Sequence, residues 1–102
     1  MLDKLKSGDF TPYLNQKFRI HMASMEPLEV ELIEVAEFGS DPVGDEASGQ
    51  RRPFSIVLRG PRDTYLPQRI YPVEHAEIGR LDLFLVPLGP DQEGMRYEAV
   101  FA

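Results

Sequence analysis

The chain has 102 residues, 42% of them apolar and 27% charged, with a net charge of −6 and no cysteine. That length holds one small hydrophobic core, and that composition excludes a disordered or collagen-like chain. Without cysteine there is no disulfide, thiolate zinc site, iron–sulfur cluster or cysteine nucleophile, so packing must supply the stability.

Residues 1–9 read as a polar leader with little to bury, ahead of a single domain over 10–102. Charges in Met1-Leu2-Asp3-Lys4-Leu5-Lys6 occupy the place where a signal peptide needs an apolar run. The longest apolar stretch, Leu83 to Leu88, contains Pro87 and is too short to span a membrane. A cytoplasmic setting is the expectation, with incorporation into a larger particle compatible with it. Phe10 to Lys17 predicts a short helical turn, capped by Thr11 and opened by Pro12, with Tyr13 and Leu14 docking on a core.

The period then changes to two. Phe18, Ile20 and Met22 alternate with Arg19, His21 and Ala23, the pattern of a strand with one buried face. A turn over Ser24-Met25-Glu26-Pro27 leads to a second strand with Leu28, Val30 and Leu32 on one side. Leu32 and Ile33 are consecutive apolar residues, and Val35 keeps the parity of Ile33, so a β-bulge is expected near 32–33. Residues 39–52 are rich in turn formers and read as a mobile loop.

Phe54, Ile56 and Leu58 form a third strand that ends at Arg59-Gly60-Pro61. After a connection through Asp63, Tyr65 and Pro67, Tyr71, Val73 and His75 share one side of a fourth, with Pro72 marking an edge or bulge. Ala76 to Gly79 is a turn. Leu81 to Leu88 is apolar on both faces after Asp82, as in a strand covered on both sides or an interface. Gly89 to Gly94 turns the chain into a closing strand, Met95 to Phe101. Six strands with short connections predict an all-β domain, a small six-stranded antiparallel barrel or a two-sheet sandwich. The barrel is favoured, because the bulge supplies curvature and closure removes exposed edges.

Charge is segregated along the chain. Between 24 and 50 there are eight acids and no Lys or Arg, whereas 51–69 carry five arginines against Asp63 alone. An acidic chain argues against nucleic acid as a partner, since phosphate neutralisation needs a basic face. The arginines of 51–69 are expected to pair with the acidic segment or to stay solvated.

The run Phe54-Ser-Ile-Val-Leu-Arg-Gly-Pro61, then Leu66-Pro67-Gln68, Tyr71-Pro72-Val73-Glu74-His75 and Ile78-Gly79 resembles a family of small uncharacterised bacterial proteins known only as a domain of unknown function. The likeness continues through Leu83 to Asp91 and Gly94 to Phe101, and includes Phe10-Thr11-Pro12 and Leu14 to Phe18. The family pattern usually carries glycine where this chain has Arg69. Members often stand beside phage-tail-like or collar-type genes, so the resemblance implies a part in such an assembly. It implies no functional residue.

His75, with Glu74 and Glu77 beside it, has no serine or cysteine to activate and reads as structural, bonded to a turn carbonyl before Gly79. A metal site from His21, His75 and an acid needs ligands the spacing does not supply, and neither metal nor cofactor is expected. Arg59 and Arg62 offer forked donors to an anion. Tyr65, Tyr71, Tyr97, Phe84 and Phe101 either line a barrel mouth or fill the core.

The expectation is therefore a non-enzymatic structural or adaptor module that binds protein subunits, with a homo-oligomer among the outcomes and no membrane or nucleic acid. Its partner-binding residues are expected to be Leu83, Phe84, Leu85 and Val86 with Arg59 and Arg62. The alternative is a small-ligand or anion-binding barrel using Arg59, Arg62, Tyr71 and His75. A weaker third reading, an immunity or antitoxin-like partner, rests only on small size and acidity.

Overall fold

A computed structural model describes residues 5–23, 25–37 and 53–101, the side chain of Met25 excepted. Two 3₁₀ turns, Ser7–Asp9 and Thr11–Tyr13, precede six strands: β1 Lys17–Met22, β2 Met25–Glu37, β3 Phe54–Gly60, β4 Arg69–His75, β5 Gly79–Pro90 and β6 Met95–Phe101. All neighbours are antiparallel, and the order β1-β2-β3-β6-β5-β4 closes on itself as a barrel. The barrel, rather than the sandwich, is the fold.

Alternation sets the inside. Phe18 and Ile20, Val30 and Leu32, Phe54, Ile56 and Leu58, Tyr71 and Val73, Leu83 and Leu85, and Tyr97, Ala99 and Phe101 all point into one core. The interior of so narrow a barrel is filled by these side chains. Phe10 closes the end where β3 begins and β6 finishes, its ring 5.8 Å from Phe54 and 5.4 Å from Phe101.

The bulge expected near 32–33 is present, a register shift between Leu32 and Glu34 against β3. It is held from the side, because the Leu32 carbonyl accepts the Asn15 amide at 2.7 Å and the Leu32 amide donates to the Gln16 carbonyl at 3.1 Å. Asn15 takes φ 69°, a left-handed conformation that asparagine tolerates. Two further shifts, between Ile20 and Met22 and between Pro87 and Gly89, bend β1 and β5.

Several boundaries differ from expectation. Met22 pairs with Met25, so β2 begins inside the expected turn and Pro27 lies within the strand. The helical turn is only Thr11–Tyr13 with Phe10 at its cap, and Thr11 instead donates its hydroxyl to the Ser7 carbonyl at 3.0 Å. Within the stretch read as a polar leader, Leu5 packs against the core and Ser7 donates to the Glu37 carboxylate. Arg69 opens β4 in ordinary extended conformation, without the positive φ a glycine would serve. The expected loop at 39–52 lies outside the described residues.

The barrel is least complete at its seam. β1 and β4 are paired only at Arg19↔Glu74 and Ile20↔Val73. Beyond that point β1 bends at its bulge, and the first half of β4 keeps its ladder to β5 alone, including Pro72 opposite Asp82. Proline is tolerated there because the β1 side demands no donor.

Candidate functional site

β5 presents two different faces. Leu83 and Leu85 are buried in the core, whereas Phe84 is 49% exposed and Val86 half-buried on the outside. This corrects the expected partner-binding set, because a two-residue period puts Leu83 and Leu85 where no partner can touch them. Among the described residues, nothing covers the outer side of the doubly apolar strand at Phe84.

Phe84 does not stand alone. Ile70, 63% exposed, is its cross-strand partner on β4. Continuing the Val86↔Glu98 register two residues further brings Phe84 opposite Val100, 55% exposed on β6. Val100 pairs with Ser55, but Ser55 is only 6% exposed, so the open row stops at β6. The result is a short row of three large apolar side chains on neighbouring strands, all open to solvent. Isolated exposed apolar residues are ordinary; these three are neighbours across the sheet.

Arg59 and Arg62 belong elsewhere. The Arg59 guanidinium donates to Asp91 Oδ2 at 3.2 Å and to Glu93 Oε1 at 3.0 Å, and Arg62 donates to the Asp91 carbonyl at 2.6 Å. Asp91 Oδ1 accepts the amides of Glu93 and Gly94 at 2.8 and 2.7 Å. Those amides, together with Arg59, hold the Asp91 carboxyl below its ordinary value. The β5–β6 turn is thus latched to the end of β3, so tightly that a Cβ on Gly94 would sit 2.1 Å from the Gly60 carbonyl oxygen. The expected pairing of these arginines with the acidic 24–50 segment is replaced by pairing with the later turn, although Glu31 also lies beside Arg59 across the ladder.

His75 is buried between the rings of Tyr13 and Phe18, at 4.5 and 4.6 Å. Its Nδ1 lies 3.0 Å from the Glu77 amide and 3.3 Å from the Ile78 amide. Backbone amides only donate, which assigns the proton to Nε2, 2.8 Å from Gln16 Oε1. The histidine therefore organises the β4–β5 turn, as expected, but by accepting amides rather than by bonding a carbonyl. His21 points outward and donates to Glu74 at 2.7 Å, a bond that lowers the Glu74 pKa from its usual value. The two histidines lie on opposite faces of the sheet, and among the described residues no cluster is placed to hold a metal ion. Arg59, Arg62, Tyr71 and His75 are not brought to one mouth.

Where β1 leaves β4, a cleft of about 790 Å³ opens between His21-Met22-Ala23 on one side and β4 with the Tyr65–Pro67 connection on the other. Tyrosine hydroxyls stitch that connection down. Tyr97 donates to the Thr64 carbonyl at 3.1 Å and accepts the Leu66 amide at 3.0 Å, while Tyr71 donates to the Pro67 carbonyl at 2.8 Å. Burial pushes both phenols above their ordinary pKa. Of the aromatic residues weighed for a barrel mouth, Tyr97 and Phe101 fill the core, Phe84 faces outward, and Tyr65 and Tyr71 line this cleft.

A sequence with this strand order matches, over residues 5–101, the family described as Domain of unknown function (DUF6916). The chain belongs to that family. No curated protein and no solved structure matches it. In this DUF6916 domain, Ile70 and Val100 were missed as surface residues by sequence reasoning. The signal was there: once Tyr71, Val73 and His75 face inward, Ile70 faces out, and Tyr97, Ala99 and Phe101 do the same for Val100.

Proposed function

We propose that this chain is a non-enzymatic structural or adaptor module that docks a protein subunit against the outer face of β4, β5 and β6. The observation that carries this reading is the contiguous exposed row Ile70, Phe84 and Val100, with Val86 beside it. Aromatic anchors supply much of the binding energy of protein interfaces, and Phe84 is placed to be one. The acidic β2 side, with Glu26, Glu29 and Glu34 exposed, steers and orients association without supplying much affinity. The setting the family resemblance suggests is a phage-tail-like or collar-type assembly, reached from the cytoplasm. No helix among the described residues is long and apolar enough to cross a membrane.

The test compares the wild-type chain with Phe84→Asp, both tagged and expressed in the native host, after circular dichroism has shown equal folding. A partner recovered in stoichiometric amount by wild type and lost with Phe84→Asp supports docking through this face. If the species lost is a second copy of the chain, the module assembles with itself through the same row. Equal recovery by both proteins, or a monomer with no companion, overturns the proposal.

A further inference from the structure

The seam cleft differs from the rest of the surface in its charge. Arg69 and Arg80 both line it, with His21 on the β1 side, and no residue of its lining is acidic. Among the described residues neither the Arg69 nor the Arg80 guanidinium has a hydrogen bond or ion pair. Glu74, opposite Arg80 in the ladder, accepts its hydrogen bond from His21, while Arg19 and Arg80 act on it through their charges alone. Asp82, opposite Pro72, is exposed outside the cleft.

Aromatic and apolar surface completes the site. Tyr65 stands 62% exposed at the rim, Ile70 and Met22 face the same space, and the wall behind is fixed by the Tyr71 and Tyr97 hydroxyl bonds. A pocket whose wall is already held, with basic side chains at its two ends in an otherwise largely apolar lining, has the form of a small-molecule site. Guanidinium forks match a carboxylate, and a phenol face stacks on a flat ring. We infer that the cleft between the end of β1 and the start of β4 binds a small organic anion, a carboxylate carried on a flat apolar body, with Arg69 and Arg80 taking the charge and Tyr65 the ring. This site is separate from the Arg59 and Arg62 latch and independent of docking on the outer row, although Ile70 borders both.

The probe is benzoate, titrated into the ¹⁵N-labelled full chain and followed by amide chemical shifts. Acetate supplies the head without the ring, and benzylamine the ring with the opposite charge. Saturable shifts at Met22, Ile70, Tyr71 and Arg80 are expected, with Kd about 1 mM. Acetate should bind about tenfold more weakly and benzylamine should not saturate. Arg69→Gln or Arg80→Gln should each weaken benzoate about tenfold, while Arg59→Gln leaves it unchanged. Both cleft arginines are exposed, so the variants keep the fold, which the unshifted remainder of each spectrum verifies. No saturable shift with benzoate, equal binding of benzylamine, or wild-type affinity in both cleft variants would overturn the inference; acetate binding as tightly as benzoate would remove the ring from it.

Discussion

Two pairs of arginines, close in sequence, have opposite fates in this barrel. Arg59 and Arg62 turn inward on their own chain and are occupied by Asp91 and Glu93. Arg69 and Arg80 face a cleft with no acid in its lining. Net charge along a segment therefore says little about what that segment offers a partner: Arg59 and Asp91 are 32 residues apart, and only the β3–β6 and β5–β6 ladders bring them together. The first pair is part of the architecture; the second has no hydrogen-bond partner among the described residues.

That contrast can be broken most severely at Gly94. Its substitution by alanine forces a methyl group to within 2.1 Å of a backbone oxygen that cannot easily withdraw. Urea denaturation should show Gly94→Ala destabilised by about 3 kcal/mol, with the latch disrupted and the cleft left intact. The cleft wall fails in a different way. Tyr97→Phe deletes the hydroxyl that both accepts the Leu66 amide and donates to Thr64, leaving a buried donor unpaired. A loss of about 2 kcal/mol is expected in the same measurement, together with faster hydrogen exchange at Leu66.

Arginine substitutions sharpen the comparison. Arg59→Gln should cost about 1 kcal/mol, because its carboxylate partners are themselves part-exposed and screened. Arg69→Gln and Arg80→Gln should change stability by less than about 0.5 kcal/mol, the ordinary effect of a surface change. Acid titration separates the two regions again. Asp91 is held below its ordinary value of 3.8 by the Glu93 and Gly94 amides and by Arg59. Its contribution to stability is therefore fully present above that value and disappears as the pH falls through the lower folded-state pKa. Denaturation midpoints should decline below about pH 4 in the wild type, and that part of the decline should be missing in Asp91→Ala.

How far the sequence could be read follows from how local each interaction is. Strand identity depends on neighbours two residues apart, so the six strands and the 32–33 bulge were visible in alternation alone. The same alternation already divided Leu83 and Leu85 from Phe84 and Val86, a distinction blurred by reading the apolar run as one block. Contacts at long range were not visible. The pairing of β1 with β4 joins Ile20 to Val73, and the cleft exists because that pairing is so short. His75 was recognisable as structural, yet Gln16, its partner, lies 59 residues away. Pro27 carries the signature of a turn residue, yet β2 begins at Met25 and an irregular strand accommodates the proline.

The outer row remains the central claim, and recovery of partners from the native host by wild type, Phe84→Asp and Arg59→Gln side by side tests it most directly. A partner held in equal amount by wild type and Arg59→Gln, and lost with Phe84→Asp, is the predicted result. Loss with Arg59→Gln but retention with Phe84→Asp would place the partner on the latched turn and contradict the assignment of the β4–β5–β6 face.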